Sequence, residues 1–477
     1  MADTSPAHAN DSKAQTSHDE AASGPKHQAP SEPLSSFDQL LVPFLEAIKP
    51  EARHRIGAEA EKFGVDATTG APLPYEGDHR SVLTVLETLV EQHGWQPDRE
   101  TPGGPLIALL RAGASVTLEP GGQLELSGAP MENIHRICAE MTGHLAELRA
   151  ISNELGVVWL GVGFHPFARQ SDLTWVPKQR YGIMRRYLPT RGAHGLDMMR
   201  RTCTVQANFD YASEEDALRK VRVALRLSPV TTAMFANSPF YEGGLWGGLS
   251  YRAKVWLSVD PDRQGLVPNV LERGRRFQDY IEWALDAPMF LIKRGTEIVE
   301  NTGQSFRSFM KHGFKGHRPT LKDWETHLNT LFPEVRLKKT IEVRGADSLP
   351  ANLVCALPAV WTGLLYDAKA LDQAEELAAS FTAAELEALR PAISQKALGA
   401  TFRGAPLADL AERVIDIAAG GLERRARLNK NGKDERIHLA KLSALVEKGW
   451  CPADALVEGL GNGDADLRKE ILARARI

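Results

Sequence analysis

The sequence predicts an α+β fold: an antiparallel or mixed sheet with helices on one side, followed by a helical C-terminal region. Three observations predict it. Strand-like segments alternate polar and apolar residues, and helix-like segments repeat apolar residues at spacings of three and four. The two kinds are interspersed without regular βαβ units. From about Asp372 onward the chain is rich in Ala, Leu, Glu and Arg at helical spacing. The expected divisions are a tail at 1–36, a core at 37–370 and a helical region at 371–477 that packs on the core.

Residues 1–36 are rich in Ala, Ser, His, Pro and Asp and have no aromatic residue. Such a segment buries too little surface to offset its ordering entropy, so it is expected to be disordered. It has no apolar stretch of the secretory kind. With Arg53 as the first arginine and acids at Asp3, Asp11, Asp19 and Glu20, it does not read as an organellar transit peptide either. Leu40, Leu41, Phe44, Leu45 and Ile48 then predict a helix stopped by Pro50. Residues 53–66 predict a strand and 80–93 a helix. Residues 116–128 predict two short strands around Pro120-Gly121-Gly122. Residues 131–155 predict an amphipathic helix with Cys138 on its apolar stripe, where it reads as packing. Strands are expected at 157–164, 201–210 and 340–347. Ser213 is expected to cap a helix that runs to about Leu227 and stops at Pro229.

With 43% hydrophobic residues the chain can bury a large core. A net charge of -4 argues against bulk attraction to nucleic acid or anionic membrane. The four cysteines form no C-x-x-C pair, which argues against a thiolate zinc site and for a reduced, cytoplasmic setting. There is no G-x-x-x-x-G-K-[ST] loop, and Gly161-Val162-Gly163 lacks the third glycine of a dinucleotide loop.

Strand side chains alternate between faces. Glu59 and Glu61 therefore share one face, opposed by Ala58 and Ala60. Gln123, Glu125 and Ser127 oppose Leu124 and Leu126. Thr204, Gln206 and Asn208 oppose Cys203, Val205 and Ala207, so Cys203 should not be a nucleophile. Thr340, Glu342 and Arg344 oppose Ile341 and Val343. Glu59, Glu61, Glu119, Glu125 and Glu342 have few lysines at alternating positions near them. Clustered carboxylates repel unless a cation sits among them, and hard oxygen ligands suit Mg²⁺. The lone His194 and His327 read as structural.

Several blocks resemble one family: IGAEAEKFG (56–64), LEPGGQLELSGAP (118–130), RYGIMRRYLP (180–189), GLDMMRRTCTVQANFDY (195–211), FANSPFYEG (235–243), FPEVRLKKTIEVRGAD (332–347) and CALPAVWTGLLYD (355–367). They are similar to the plant-type glutamate–cysteine ligases, which also occur in proteobacteria. The resemblance implies a glutamine-synthetase-like catalytic fold. It also implies ATP- and Mg²⁺-dependent joining of glutamate to cysteine through γ-glutamyl phosphate, the first step of glutathione biosynthesis. A related ligase with a different amine, or a non-catalytic amino-acid or metal-binding relative, remains the alternative.

By motif, the resemblance implies Glu59, Glu61, Glu119, Glu125 and Glu342 as metal ligands, with Glu125 also in the catalytic set. It implies Arg344 as phosphate or γ-carboxylate clamp and Arg252 as ligand of the glutamate α-carboxylate. Gln206 and Asn208 would face the nucleotide. Arg180, Tyr181 and Arg185 would serve substrate or nucleotide, and Asn237, Ser238 and Trp256 would line the amino-acid pockets. The expected partners are small molecules alone (L-glutamate, L-cysteine and ATP), in a monomer or homodimer. The resemblance further implies a regulatory disulfide between the CALPA cysteine, here Cys355, and one just before the DWE block. Residues 300–324 hold no cysteine, so that switch is expected to be absent or formed with another partner, and reductant to leave activity unchanged.

Overall fold

The computed structural model describes residues 32–461 and 466–477. The expected tail lies almost wholly outside these. Within them, Pro33 bridges Thr320 and the Leu34 amide donates to the Pro319 carbonyl.

Nine strands form the central sheet: β1 Ile56–Asp66, β2 Gln96–Asp98, β3 Ala108–Arg111, β4 Ala114–Leu118, β5 Leu124–Ser127, β6 Val157–Leu160, β7 Val205–Phe209, β8 Val335–Leu337 and β9 Ile341–Val343. Their order is β8-β9-β7-β1-β5-β4-β3-β2, with β6 paired to the far end of β1. Every pairing in this sheet is antiparallel. The strand at 201–210 is shorter than expected because Gly195–Arg201 is helical. The strand at 157–164 stops at Leu160.

The apolar alternation seats Ala58, Ala60, Leu124, Leu126, Val205, Ala207, Ile341 and Val343 on the buried face. Helix Ile134–Leu155 packs on β1 and β6, and helix Ala356–Leu365 packs on β7 and β1. Asn133 caps the first of these, its side chain accepting from the Arg136 amide at 3.0 Å, and Gly156 at φ 67° ends it. Such a cap contributes about 1 kcal/mol.

Helix Glu214–Met234 corrects one expectation: it continues through Pro229 instead of stopping there. Proline removes the amide that would bond the carbonyl four residues back. That carbonyl, of Leu225, instead accepts from the Ser228 hydroxyl at 2.9 Å. The helix is buried along most of its length, so packing outweighs the lost hydrogen bond. After Asp367 the chain is mainly helical. Helix Ala383–Lys396 packs against Glu214–Met234 and against the short helix Tyr251–Val255. Among the described residues no helix is long and apolar enough to cross a membrane.

Candidate active site

The polar face of the sheet becomes a site through register. Pairing of β1 with β5 sets Glu61 opposite Glu125, and pairing with β7 sets Glu59 opposite Gln206. Pairing of β7 with β9 sets Asn208 opposite Glu342, and β8 with β9 sets Arg336 opposite Glu342. Residues about 280 positions apart in sequence thus share one strip. Gly57 makes room in it: a Cβ there would lie 3.2 Å from that of Asn208.

The two ends of the strip differ in charge. Glu342 is fully buried and pairs with Arg336 at 2.7 Å, with Lys338 at 2.8 Å and with Arg344. Burial alone would push its carboxyl up; the three cations hold it well below the usual carboxylate range. At the other end Glu59, Glu61, Glu119 and Glu125 form no ion pair among the described residues. Burial, then the charges of Glu342 and Glu125, push Glu59 up to about 7. Burial, then Glu119 and Glu125, push Glu61 well up, and burial with Glu119 raises Glu125. Neutral donors steady this end: Asn208 Nδ2 donates to Glu59 at 2.8 Å, the Thr204 amide donates to Glu61 at 2.9 Å, and the Ser127 hydroxyl donates to Glu125.

Does this end suit a divalent cation? The donors are hard oxygens whose mutual repulsion a cation would relieve. Among the described residues, the group of three or more His, Cys, Asp or Glu ligand atoms within 4.8 Å of one another is Cys138, Cys355 and His438, not these carboxylates. The wider spacing suits Mg²⁺, which takes one or two protein carboxylates and completes its shell with phosphate oxygens and water. Glu342 is the poorest of the five expected ligands, because its oxygens already meet three side-chain cations.

Arg344 reaches into the strip from the end of β9, Nη1 donating to Gln206 Oε1 at 2.7 Å. Arg252, on helix Tyr251–Val255, is buried and donates from Nη1 and Nη2 to the carbonyls of Gly345 and Arg344 at 3.1 and 2.9 Å. Trp256 follows it, and both line a cavity together with Arg344. Tyr181 is buried and donates to the Leu118 carbonyl at 2.8 Å, with Arg180 stacked 5.1 Å from its ring centroid. Both adjoin Glu119.

Other expected residues lie elsewhere. Arg185 is exposed and stacks on Trp175, 4.8 Å from the ring centroid. Asn237 and Ser238 are buried and do not line that cavity: Asn237 Nδ2 donates to the Gly161 and Ser348 carbonyls, and Ser238 donates to Asp347 at 2.6 Å. Ser238 also accepts from the Arg252 amide at 3.1 Å, so it supports the helix that carries Arg252 rather than lining a pocket. His327 bonds the Ala284 carbonyl at 2.8 Å and His194 bonds Asp197 at 2.9 Å.

Sequence reasoning passed over Arg336 and Lys338, the partners of Glu342. A hairpin reading of 335–343 would have set Arg336 across from Glu342. It also passed over Lys62 on the apolar face, whose ammonium donates to the Ala60 and Leu124 carbonyls. The packing role read for Cys138 is corrected too. Cys138 forms a disulfide with Cys355, Cα to Cα 5.9 Å, tying helix Ile134–Leu155 to the cap of helix Ala356–Leu365. Of the two expectations for Cys355, no bond or a bond to another partner, the structure matches the second, with a partner 217 residues away, and the expectation of indifference to reductant loses its ground.

The chain is similar to known proteins along most of its length. The family model "Glutamate-cysteine ligase family 2 (GCS2)" matches residues 55–470. The chain is 43% identical over 449 residues to the chloroplastic glutamate–cysteine ligase of Brassica juncea, covering 93% of this chain and 85% of the relative. It is 42% identical over 442 residues to the chloroplastic glutamate–cysteine ligase B of Oryza sativa subsp. japonica, covering 92% and 86%. A bifunctional glutathione synthetase from Pasteurella multocida shares the fold, with a TM-score of 0.50 at 13% identity over 92% of this chain and 54% of that one. The expected cytoplasmic setting is overturned: these relatives are chloroplastic, and the reading of the N-terminal segment against a transit peptide falls with it. The chain belongs to glutamate–cysteine ligase family 2.

Proposed function

We propose that this member of the family is an ATP-dependent glutamate–cysteine ligase that makes γ-glutamylcysteine, the first step of glutathione synthesis, and that its sheet strip is where the chemistry occurs. The observation that carries this is the register: it joins an unpaired carboxylate group to a pre-set arginine and an amide pair on one face.

A carboxylate is a poor electrophile. A γ-carboxylate oxygen of glutamate therefore attacks the γ-phosphorus of ATP, and ADP leaves. The cysteine amine then attacks the acyl carbon, phosphate departs with that oxygen, and the amine loses a proton. Glu59, Glu61, Glu119 and Glu125 would hold Mg²⁺. The chemistry such ions supply is neutralisation of phosphate charge. Arg344 steadies the transferring group, its guanidinium fixed in advance by Glu342 and Gln206 so that little reorganisation is needed at the moment of reaction. Gln206 and Asn208 face the nucleotide. Arg252 takes the glutamate α-carboxylate, with Trp256 beside it.

The purified chain is incubated with Mg²⁺, ATP and glutamate, with and without cysteine, and the product is weighed by mass spectrometry. Cysteine-dependent ADP release with γ-glutamylcysteine is expected. Turnover with a different amine alone would change the acceptor, and no turnover with any amine would overturn the reading.

A further inference from the structure

Cys138 and Cys355 are 217 positions apart, yet the fold brings them to one point on the side of the sheet opposite the carboxylate strip. Cys138 sits on helix Ile134–Leu155 and Cys355 caps helix Ala356–Leu365, the two helices that pack on the apolar face. A third ligand atom stands with them. His438 ends the 3₁₀ turn Glu435–His438, and its Nδ1 lies 3.4 Å from Cys138 Sγ. This nitrogen and both sulfurs lie within 4.8 Å of one another.

Hydrogen bonding fixes where the imidazole protons sit. A carbonyl only accepts, so His135 Nε2, 3.1 Å from the Arg427 carbonyl, carries a proton. Neutral His135 then has a bare Nδ1, and His438 Nε2 donates to it at 2.9 Å. That leaves His438 Nδ1 as a lone pair facing sulfurs that, joined as a disulfide, have no proton to offer. A histidine with its far nitrogen hydrogen-bonded and its near nitrogen bare is arranged as a metal ligand. The turn that carries it is held without the disulfide: buried Glu435 accepts from the Ile134 amide at 2.7 Å and from Arg425 Nε at 3.2 Å.

We propose that reduction of this disulfide turns Cys138, Cys355 and His438 into a metal site suited to Zn²⁺. A dithiol reductant closes to its own disulfide, and the two protein sulfurs gain one proton each. The ion displaces those protons and takes both thiolates and His438 Nδ1, with water in the fourth place. Zinc holds a thiolate and an imidazole nitrogen about 3.5 Å apart, and two thiolates about 3.8 Å apart. The first spacing already exists; with the Cα atoms 5.9 Å apart, side-chain rotation supplies the second. Thiolate and imidazole donors set this site apart from the hard oxygens of the strip. The same sulfurs serve bond and ion, so disulfide and metal exclude each other. The site does not depend on the ligase reading.

The test uses the full chain, reduced with a phosphine (which becomes its oxide by taking the oxygen of water) and then freed of it without air. Excess Mg²⁺ is kept present to fill the oxygen sites. Zn²⁺ uptake is read by metal analysis, and Co²⁺ in its place by thiolate-to-cobalt absorption in the near ultraviolet. The reduced chain should hold one zinc and show that absorption with cobalt. The oxidised chain should do neither, a contrast that needs no variant. Reduced Cys138→Ser should lose zinc, and His135→Phe should weaken zinc binding about 10–100-fold, the scale for a group that orients a metal-bound histidine. Bound zinc should also slow reclosure of the disulfide in air. Absence of cobalt–thiolate absorption in the reduced chain, or equal absorption in the reduced and oxidised chains, would overturn the proposal. Unchanged zinc affinity in both His135→Phe and His438→Gln would do the same.

Discussion

Two ends of one sheet strip carry the same residue type in opposite electrostatic states. At the β9 end Glu342 is ringed by Arg336, Lys338 and Arg344 and stays ionised. At the β1–β5 end Glu59, Glu61 and Glu125 form no ion pair among the described residues and accept from neutral donors, and burial and mutual repulsion push all three up. Burial is common to both ends, so the difference lies in the partners that the register supplies. A carboxylate whose charge is already met is scaffold, here fixing an arginine. Carboxylates whose charge is unmet are a site that gains stability when a cation arrives.

The comparison breaks most visibly at Arg344. Arg344→Ala should lower kcat by about 10²–10³-fold, the scale of one lost electrostatic donor, while circular dichroism stays native. Retained kcat would remove Arg344 from the chemistry. Glu342→Ala strands Arg336, Lys338 and Arg344 as unpaired buried cations and should cost about 3–5 kcal/mol in denaturant unfolding.

Glu59→Gln should do the reverse. The folded pKa of Glu59 is raised to about 7, above its ordinary value. Its ionisation therefore erodes stability as pH rises from that ordinary value through about 7, and the loss is complete above it. At pH 8 without metal, Glu59→Gln should stabilise by roughly 1–3 kcal/mol while lowering activity. Destabilisation would place Glu59 with Glu342 as scaffold. The smallest effect sharpens the contrast: the rise in Tm on adding Mg²⁺ should be larger at pH 8 than at pH 6, since bound metal displaces protons. A Mg²⁺ shift independent of pH would argue that these carboxylates do not hold it.

The faces of the strip were legible because strand side chains alternate strictly: Glu59 with Glu61, Gln206 with Asn208, and Glu342 with Arg344 were assigned to one side from local pattern. Strand order was not legible, since nothing local says that β5 and β7 flank β1. The Arg336–Glu342 pair and the Cys138–Cys355 bond were missed for the same reason: each depends on a pairing or packing partner. Pro229 was read as a stop because propensity is local, whereas Ser228 and the surrounding core keep the helix intact. The buried Lys62 escaped because alternation put it among alanines, and its carbonyl partners come from the fold.

The most direct measurement follows oxygen. Glutamate labelled with ¹⁸O in the γ-carboxylate is turned over with ATP, Mg²⁺ and cysteine, and the released phosphate is analysed by mass. The account predicts one labelled oxygen in each phosphate, dependent on cysteine and lost together with turnover in Arg344→Ala. Unlabelled phosphate would mean that water, not the glutamate carboxylate, attacks ATP, and would contradict ligation through an acyl phosphate.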